Sequence, residues 1–324
     1  MSDLMRISVA FASDEVTAMP LGAAIAALIQ TRAEGSMLDI HVLSCGITDA
    51  SRARIFEVMK SAPDGTAELS WHAITGDYAK QLERFYINSE RPYPPANYAR
   101  LQAGDFLPKD RKRVIYMDID TATRKDLRPL MEIPFEGDTA ALVVRDLPHD
   151  AGQMDRLLST LSQEDIARYG VTAEAHYFQA GIMVMNLEAF RSGVVDEIAD
   201  LLQRYPQLTF PDQDALNVVL SGRHQFMDPR WNQMTAIYWY DDAAASPYDQ
   251  ETFDQLQADP FVVHYSGRPK PWEEGSDHPW LEHWQTAFAV TPWAADRQTV
   301  FTRIRDKALR ARRVLRKKVM RRLG

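Results

Sequence analysis

One cysteine, Cys45, stands in a chain of 324 residues, so no disulfide can form within it. A lone thiol suits a reducing compartment, and the residue is expected to fill core space. No apolar run approaches the roughly eighteen residues of a membrane-spanning helix, which excludes a segment of that kind. A secretory leader is missing too: Met1–Arg6 leads straight into Ile7–Phe11, which alternates like a strand and is too short for an export signal. These absences predict a cytoplasmic protein. Basic charge is scarce outside one end. Residues 303–324 carry eleven Lys and Arg against one acid, Asp306, for a local net of +10, so the overall −8 leaves −18 on everything before them. Such an acidic body repels nucleic acid, and the basic end reads as a separate attachment device.

What is present is a globular composition, 45% hydrophobic and 25% charged, on a chain long enough for one large α/β domain with a sizeable core. Strand-like runs alternate with helical patterns: Ile7–Phe11, a helix through Ala23–Gln30, Asp39–Leu43, a helix through Ser51–Lys60, then Ala67–His72. This rhythm predicts a mainly parallel, Rossmann-like sheet flanked by helices, with ligand sites beyond the C-terminal ends of the strands. The prolines of residues 91–96 predict a loop leading into a helix over Asn97–Ala103. Arg113–Met117, Ala141–Val144, Ala180–Asn186 and Phe261–Tyr265 read as further strands, and Asp214–Ser221 as a short helix. Residues 241–260, acidic and rich in Ala, Ser and Pro, read as a surface segment with one short helix.

Asp118 and Asp120 follow the apolar strand Arg113–Met117 directly. Residues two apart on a strand point to one face, so both carboxylates can aim at one point past the sheet edge and chelate a hard cation. The cation would in turn hold a diphosphate. An isolated Asp-Xaa-Asp is more often a polar turn. The same segment also fits a phosphatase of the haloacid-dehalogenase type, with the first Asp as nucleophile and the second as acid or base. That chemistry needs a distal acid pair, and Gly137-Asp138 lies too near in sequence to supply it.

Several separated segments, in order, are similar to the motifs of one family. They are Phe11-Ala-Ser-Asp14, Asn97-Tyr-Ala-Arg-Leu101, Val114-Ile-Tyr-Met-Asp-Ile-Asp120, Tyr177-Phe-Gln-Ala-Gly181 with Asn186-Leu187, Asp212-Gln-Asp-Ala-Leu-Asn217, and His264-Tyr-Ser-Gly-Arg-Pro-Lys-Pro-Trp272. Together they resemble glycosyltransferase family 8, and most of all bacterial lipopolysaccharide galactosyl- and glucosyltransferases. The resemblance implies a GT-A fold over residues 1–290, a UDP-hexose donor, Mn²⁺ or Mg²⁺, and transfer to a saccharide or glycolipid with retention of configuration. By position it implies Asp118, Asp120 and His264 as metal ligands, and Ala12 and Asp14 as contacts to uracil and ribose. Arg100 and Ile119 fall on the donor side, and Gly267 and Lys270 in the loop that closes on the diphosphate. Asp146, Asp212 and Gln213 surround the transferred sugar. Beside the Mg²⁺-dependent phosphatase as runner-up, a non-catalytic nucleotide-sugar-binding protein is a second alternative, because this chain departs from the pattern at places. Val16 and Thr17 stand where relatives often have an aromatic residue, Gln179 where they usually have Asn, and Pro92 where a histidine occurs.

Beyond residue 290 the pattern changes. Phe301, Ile304, Ala308, Ala311, Leu315, Val319 and Leu323 recur at helical spacing among Lys and Arg, which predicts a basic amphipathic helix within a tail over residues 291–324. Such a helix suits an anionic membrane surface, which extends the expected location to the inner face of the cell membrane.

Overall fold

The computed structural model describes residues 4–76, 82–85, 95–147 and 152–296. The expected loop over residues 91–94, with Pro92, and the expected basic helix over residues 301–324 lie outside them.

The chain opens with strand β1 (Met5–Ser13), helix α1 (Ala18–Thr31), strand β2 (Ser36–Ser44), helix α2 (Asp49–Met59) and strand β3 (Ala67–Ala73), the expected alternation. Strands β4 (Arg113–Met117), β5 (Thr121–Thr123), β6 (Ala141–Arg145), β7 (Phe178–Asn186), β8 (His224–Phe226), β9 (Gln233–Met234) and β10 (Val262–His264) follow. Seven of them form one sheet in the order β3-β2-β1-β4-β7-β6-β8, and β5-β10-β9 form a second, smaller one. β1, β2, β3 and β4 run parallel, as do β6 and β8, whereas β7 is antiparallel to both its neighbours. The large sheet is therefore mainly parallel with one reversed strand.

Alternation along the central strands sorts side chains into two cores. Ile7, Val9 and Phe11 of β1, Ile115 and Met117 of β4, and Ile182 and Val184 of β7 face one. Ala10, Ala12, Val114, Tyr116, Ala180, Met183 and Met185 face the other. Both faces are covered, so these strands read as continuous apolar runs, and each large aliphatic side chain buried this way contributes roughly 1.5–3 kcal/mol. On the first face α1 packs against the helix Leu281–Ala289. Gly22 permits that layer to close, since a Cβ there would lie 2.8 Å from the Trp293 ring. The acidic segment forms a 3₁₀ turn, Ala243–Ala245, and the expected helix, Gln250–Ala258, which buries Phe253 and Leu256. Cys45 is half-buried, and burial with the nearby Asp14 pushes its thiol up to about 12.

Candidate active site

The Asp118–Asp120 segment is where the chain leaves the large sheet at the end of β4 and enters the small one at β5. The two acids follow the strand, as expected, and occupy the turn that connects it to β5. Backbone bonds from both sheets fix that turn. The Asp118 N–H donates to the Gly181 carbonyl of β7 at 2.7 Å, the Asp120 carbonyl accepts from the Tyr265 N–H at 2.9 Å, and Thr121 Oγ1 donates to the Asp118 carbonyl at 2.7 Å. β10 pairs antiparallel with β5 in a register that sets His264 opposite Thr121. A histidine distant in sequence is thereby delivered to the acids by strand pairing. One ligand atom from each of Asp118, Asp120 and His264 lies within 4.8 Å of the others.

The residues fit a divalent cation. Two carboxylates and an imidazole form a mixed oxygen and nitrogen set, and His264 Nδ1 is engaged by Asn232 Oδ1 at 2.8 Å, which leaves Nε2 toward the acids. Space for the cluster depends on Gly181, missed as a site residue in the sequence although it lies in a quoted motif. A Cβ at Gly181 would come within 2.5 Å of His264 Cε1 and 2.7 Å of Asp118 Oδ2.

Two cations brace the acids. Arg100 lies on a short 3₁₀ turn and is 7% exposed, so it is a buried site residue and not a solvated helical one. Its guanidinium stands 3.1 Å from Asp118 Oδ1 and 3.4 Å from Asp212 Oδ2, and donates to the Ala180 carbonyl at 2.8 Å. Lys270 Nζ lies 2.6 Å from Asp120 Oδ2 and donates to the Tyr265 carbonyl. Tyr116, whose role the sequence gave no reason to suspect, donates its hydroxyl to Asp118 Oδ1 at 2.9 Å. The two aspartates respond oppositely. Burial, the largest influence, pushes the Asp118 carboxyl up against the pull of Arg100, and the charge of Asp120 adds to that. Burial acts on Asp120 as well, but His264 and Lys270 outweigh it and hold that carboxyl below the usual range.

Of the remaining candidates, Ala12, Asp14 and Ile119 line one cavity of about 220 Å³ together with Arg100, Asp118 and Asp120. Within it the Asp14 carboxylate accepts from the Thr17 N–H and hydroxyl, while Val16 is 87% exposed. Gln213 lies on the helix Pro211–Val219, its Oε1 accepting from the Ala180 N–H at 2.9 Å and its Nε2 donating to Asp146 at 3.1 Å. Burial pushes the Asp146 carboxyl up to about 6, against the Leu147 N–H that it accepts. The helix itself is pinned by Asp214, which pairs with Arg156 and caps the Phe210 N–H, and by Asn217, which bonds both backbone groups of Phe178. Gly267 donates to Thr235 Oγ1 and lies close against Trp239. A second cavity, of about 650 Å³, touches Asp146, Tyr177 and Tyr240 but none of the metal-ligand candidates. The structure thus gathers Arg100, Asp118, Asp120, Asp212, His264 and Lys270 through direct contacts, with Ala12, Asp14 and Ile119 on the adjoining cavity, while Asp146, bonded to Gln213, lines the second cavity.

The profile of the family described as glycosyl transferase family 8 matches residues 8–276. The chain belongs to that family. As a family 8 glycosyltransferase it is similar to general stress protein A of Bacillus subtilis, with 25% identity over 87% of this chain and 92% of the relative. It is also similar to lipopolysaccharide 1,3-galactosyltransferase of Salmonella typhimurium, with 25% identity over 78% of this chain and 76% of that one. Among solved structures, the galactosyltransferase LgtC in complex with donor and acceptor sugar analogs shares the fold at a TM-score of 0.68 and 23% identity, over 88% of this chain and 96% of that chain. The GT-A fold read from the motifs is thereby established, and family 8 membership sets the phosphatase reading aside.

Proposed function

We propose that the protein is a retaining hexosyltransferase that moves galactose or glucose from a UDP-sugar to a saccharide acceptor, such as a lipopolysaccharide or another glycolipid. The observation that carries this reading is the convergence of Asp118, Asp120 and His264, with the two acids lining the same cavity as Ala12 and Asp14. Groups suited to a cation and groups suited to a base and ribose share one groove, as a nucleotide diphosphate requires. Asp118, Asp120 and His264 would hold Mn²⁺ or Mg²⁺. When bound, such a cation neutralises charge on the donor diphosphate and so favours its departure.

Lys270 supplies a second positive charge at the same place, and the loop containing Gly267 lets backbone approach the phosphates closely. Arg100 holds Asp118 and Asp212 in fixed relation, so the donor half and the sugar half of the groove keep one geometry. Gln213 stands nearest the reacting carbon in this reading. Its Oε1 already accepts from the Ala180 N–H and its amide nitrogen is engaged by Asp146, which supports positioning and not nucleophilic attack. Same-face attack by the acceptor hydroxyl, with a donor phosphate oxygen as base, is the route these contacts favour. The 650 Å³ cavity lined by Asp146, Tyr177 and Tyr240 lies within the size range of small-ligand sites and suits the approaching acceptor. The amphipathic sequence of residues 301–324 supports attachment to an anionic membrane surface, tested by vesicle sedimentation of the full chain against a chain truncated after residue 300.

A thermal-shift screen of nucleotide sugars with and without Mn²⁺ tests the central claim. A ligand at a hundredfold excess over its Kd adds about 2.7 kcal/mol of stability, so a metal-dependent rise with UDP-hexoses is expected. No rise with any UDP-sugar would overturn it, and a rise without turnover on any saccharide would instead mark a binding protein.

A further inference from the structure

We infer that Asn232 and Gln179 form a relay that fixes the tautomer of His264, so that its Nε2 presents a lone pair to the cation position. The inference rests on the reading of Asp118, Asp120 and His264 as a metal site and deepens it. One group in the relay has a role that is not adjustable. A backbone N–H can only donate, and the N–H of Gly181 lies 2.7 Å from the side-chain amide of Gln179, so the atom facing it is the oxygen, Oε1. That same oxygen lies 2.8 Å from the side-chain amide of Asn232, which must therefore present its NH₂ group there. The other end of the Asn232 amide is then Oδ1, which can only accept. It stands 2.8 Å from His264 Nδ1, so Nδ1 carries the ring proton. With the proton held on Nδ1, Nε2, on the side of Asp120, is the nitrogen whose lone pair a cation would take.

Each group in this chain has one orientation because the one before it has one. Asn232 and His264 are 1% and 2% exposed, so bulk water does not offer the alternative tautomer a competing partner. The relay also shares its anchor with the first carboxylate. The Gly181 carbonyl accepts from the Asp118 N–H, while the Gly181 N–H begins the path to His264. One residue of β7 thus sets both the backbone of a carboxylate ligand and, at a distance, the proton of the imidazole ligand. Position 232 enters the site because β9 pairs parallel with β10, with Met234 opposite His264. Gln179, where relatives usually have Asn, is used here as an acceptor within the relay.

Two measurements on the full chain test this. The first reads the tautomer directly: ¹⁵N NMR of histidine-labelled protein, with the signals assigned through His264→Gln, should show His264 protonated at Nδ1. Protonation at Nε2 alone would overturn the relay without any variant having to fold. The second is Mn²⁺ binding followed by electron paramagnetic resonance, with no sugar present. Asn232→Ala should weaken Mn²⁺ by about 10–100-fold, the usual effect of losing a group that orients a ligand. Asn232→Asp should retain wild-type affinity or exceed it, because a carboxylate still accepts from Nδ1. In the same way Gln179→Ala should weaken binding, while Gln179→Glu, which keeps an oxygen acceptor, should spare it. Equal Mn²⁺ affinity in the wild type, Asn232→Ala and Gln179→Ala would sink the relay while leaving the metal site standing. No Mn²⁺ binding by the wild type would sink the metal reading and this inference with it.

Discussion

Two buried clusters in this chain use the same residue types and behave in opposite ways. Around β2, Asp39 accepts from Arg111 at 2.7 Å and from Ser8, with Arg6 at 3.4 Å and His41 at 3.2 Å. Beyond it His41 Nδ1 lies 3.0 Å from His72 Nε2. Burial pushes the Asp39 carboxyl up, but His41 and Arg111 outweigh it and hold it well below the usual carboxylate range. The one buried acid there faces Arg6 and Arg111, whose other partners Glu68 and Asp110 are exposed, and it is satisfied. At the other cluster three acids, Asp118, Asp120 and Asp212, share Arg100 and Lys270, with His264 beside Asp120, and two of the three carboxyls, Asp118 and Asp212, end above the usual range because burial outweighs their partners. That cluster is short of positive charge. A divalent cation is the partner that would remove the deficit, whereas at Asp39 nothing is owed.

The largest effect should come from the cluster with the deficit. Asp118→Asn or Asp120→Asn should lower hexosyl transfer by on the order of 10²–10³ or more and remove metal-dependent nucleotide-sugar binding. Circular dichroism should show the fold retained, since Asn keeps the shape and lessens the repulsion. Full transfer by either variant, measured with labelled donor, would end the distinction between the two clusters.

Asp39→Ala should do the reverse: destabilise the fold and leave the specific activity of the folded fraction unchanged. Removing one partner of a buried pair costs about 3 kcal/mol, to be read from urea unfolding. The sign with pH follows from the lowered carboxyl. The unfolded chain protonates Asp39 first as pH falls, so its contribution is whole above about pH 4. It is lost as pH drops further, through the low folded value. A wild-type curve that parallels the variant's between pH 5 and pH 2 would contradict this.

The contrast also shows what the amino-acid order could and could not convey. The Asp118–Asp120 pair was legible as a motif, and so was the alternation that builds β1 to β3, because both are local in sequence, whereas His264 was placed by resemblance. The turn at Asp118 was not, since its shape comes from bonds to Gly181 and Tyr265 far along the chain. The direction of β7 was equally hidden: a strand buried on both faces looks the same read either way. Asn232 has no local signal at all, because its role depends on the register of β9 with β10. The helix Val195–Arg204 was within reach. Ile198, Ala199, Leu201 and Leu202 mark its buried stripe, yet it was not among the elements read. Arg100 was placed by resemblance alone, and its burial between two acids reverses the usual expectation for a helical arginine.

Between the two clusters in expected effect lies Gln213→Ala. Both ends of its amide are engaged, by Ala180 and Asp146, so a positioning role predicts a loss of about ten- to a hundredfold in kcat. Nucleotide-sugar binding by thermal shift should change little. A sugar trapped covalently on Gln213, detected by mass spectrometry, would replace positioning with nucleophilic catalysis.

The smallest effect sharpens the comparison most finely. Arg6 lies 3.4 Å from Asp39 and 3.1 Å from Glu68, and its side chain is 37% exposed. Water and salt screen it, and ordering its long side chain offsets part of the attraction, so Arg6→Ala should cost about 0–1 kcal/mol and less still at 1 M salt. Arg111, 20% exposed and bonded to the same carboxylate at 2.7 Å, should account for most of the compensation. If urea unfolding gave Arg6→Ala a cost equal to that of Asp39→Ala, the β2 cluster would need both arginines to be satisfied. It would then be as finely balanced as the acids at the end of β4, and charge surplus alone would no longer separate a structural network from a site built to receive a cation.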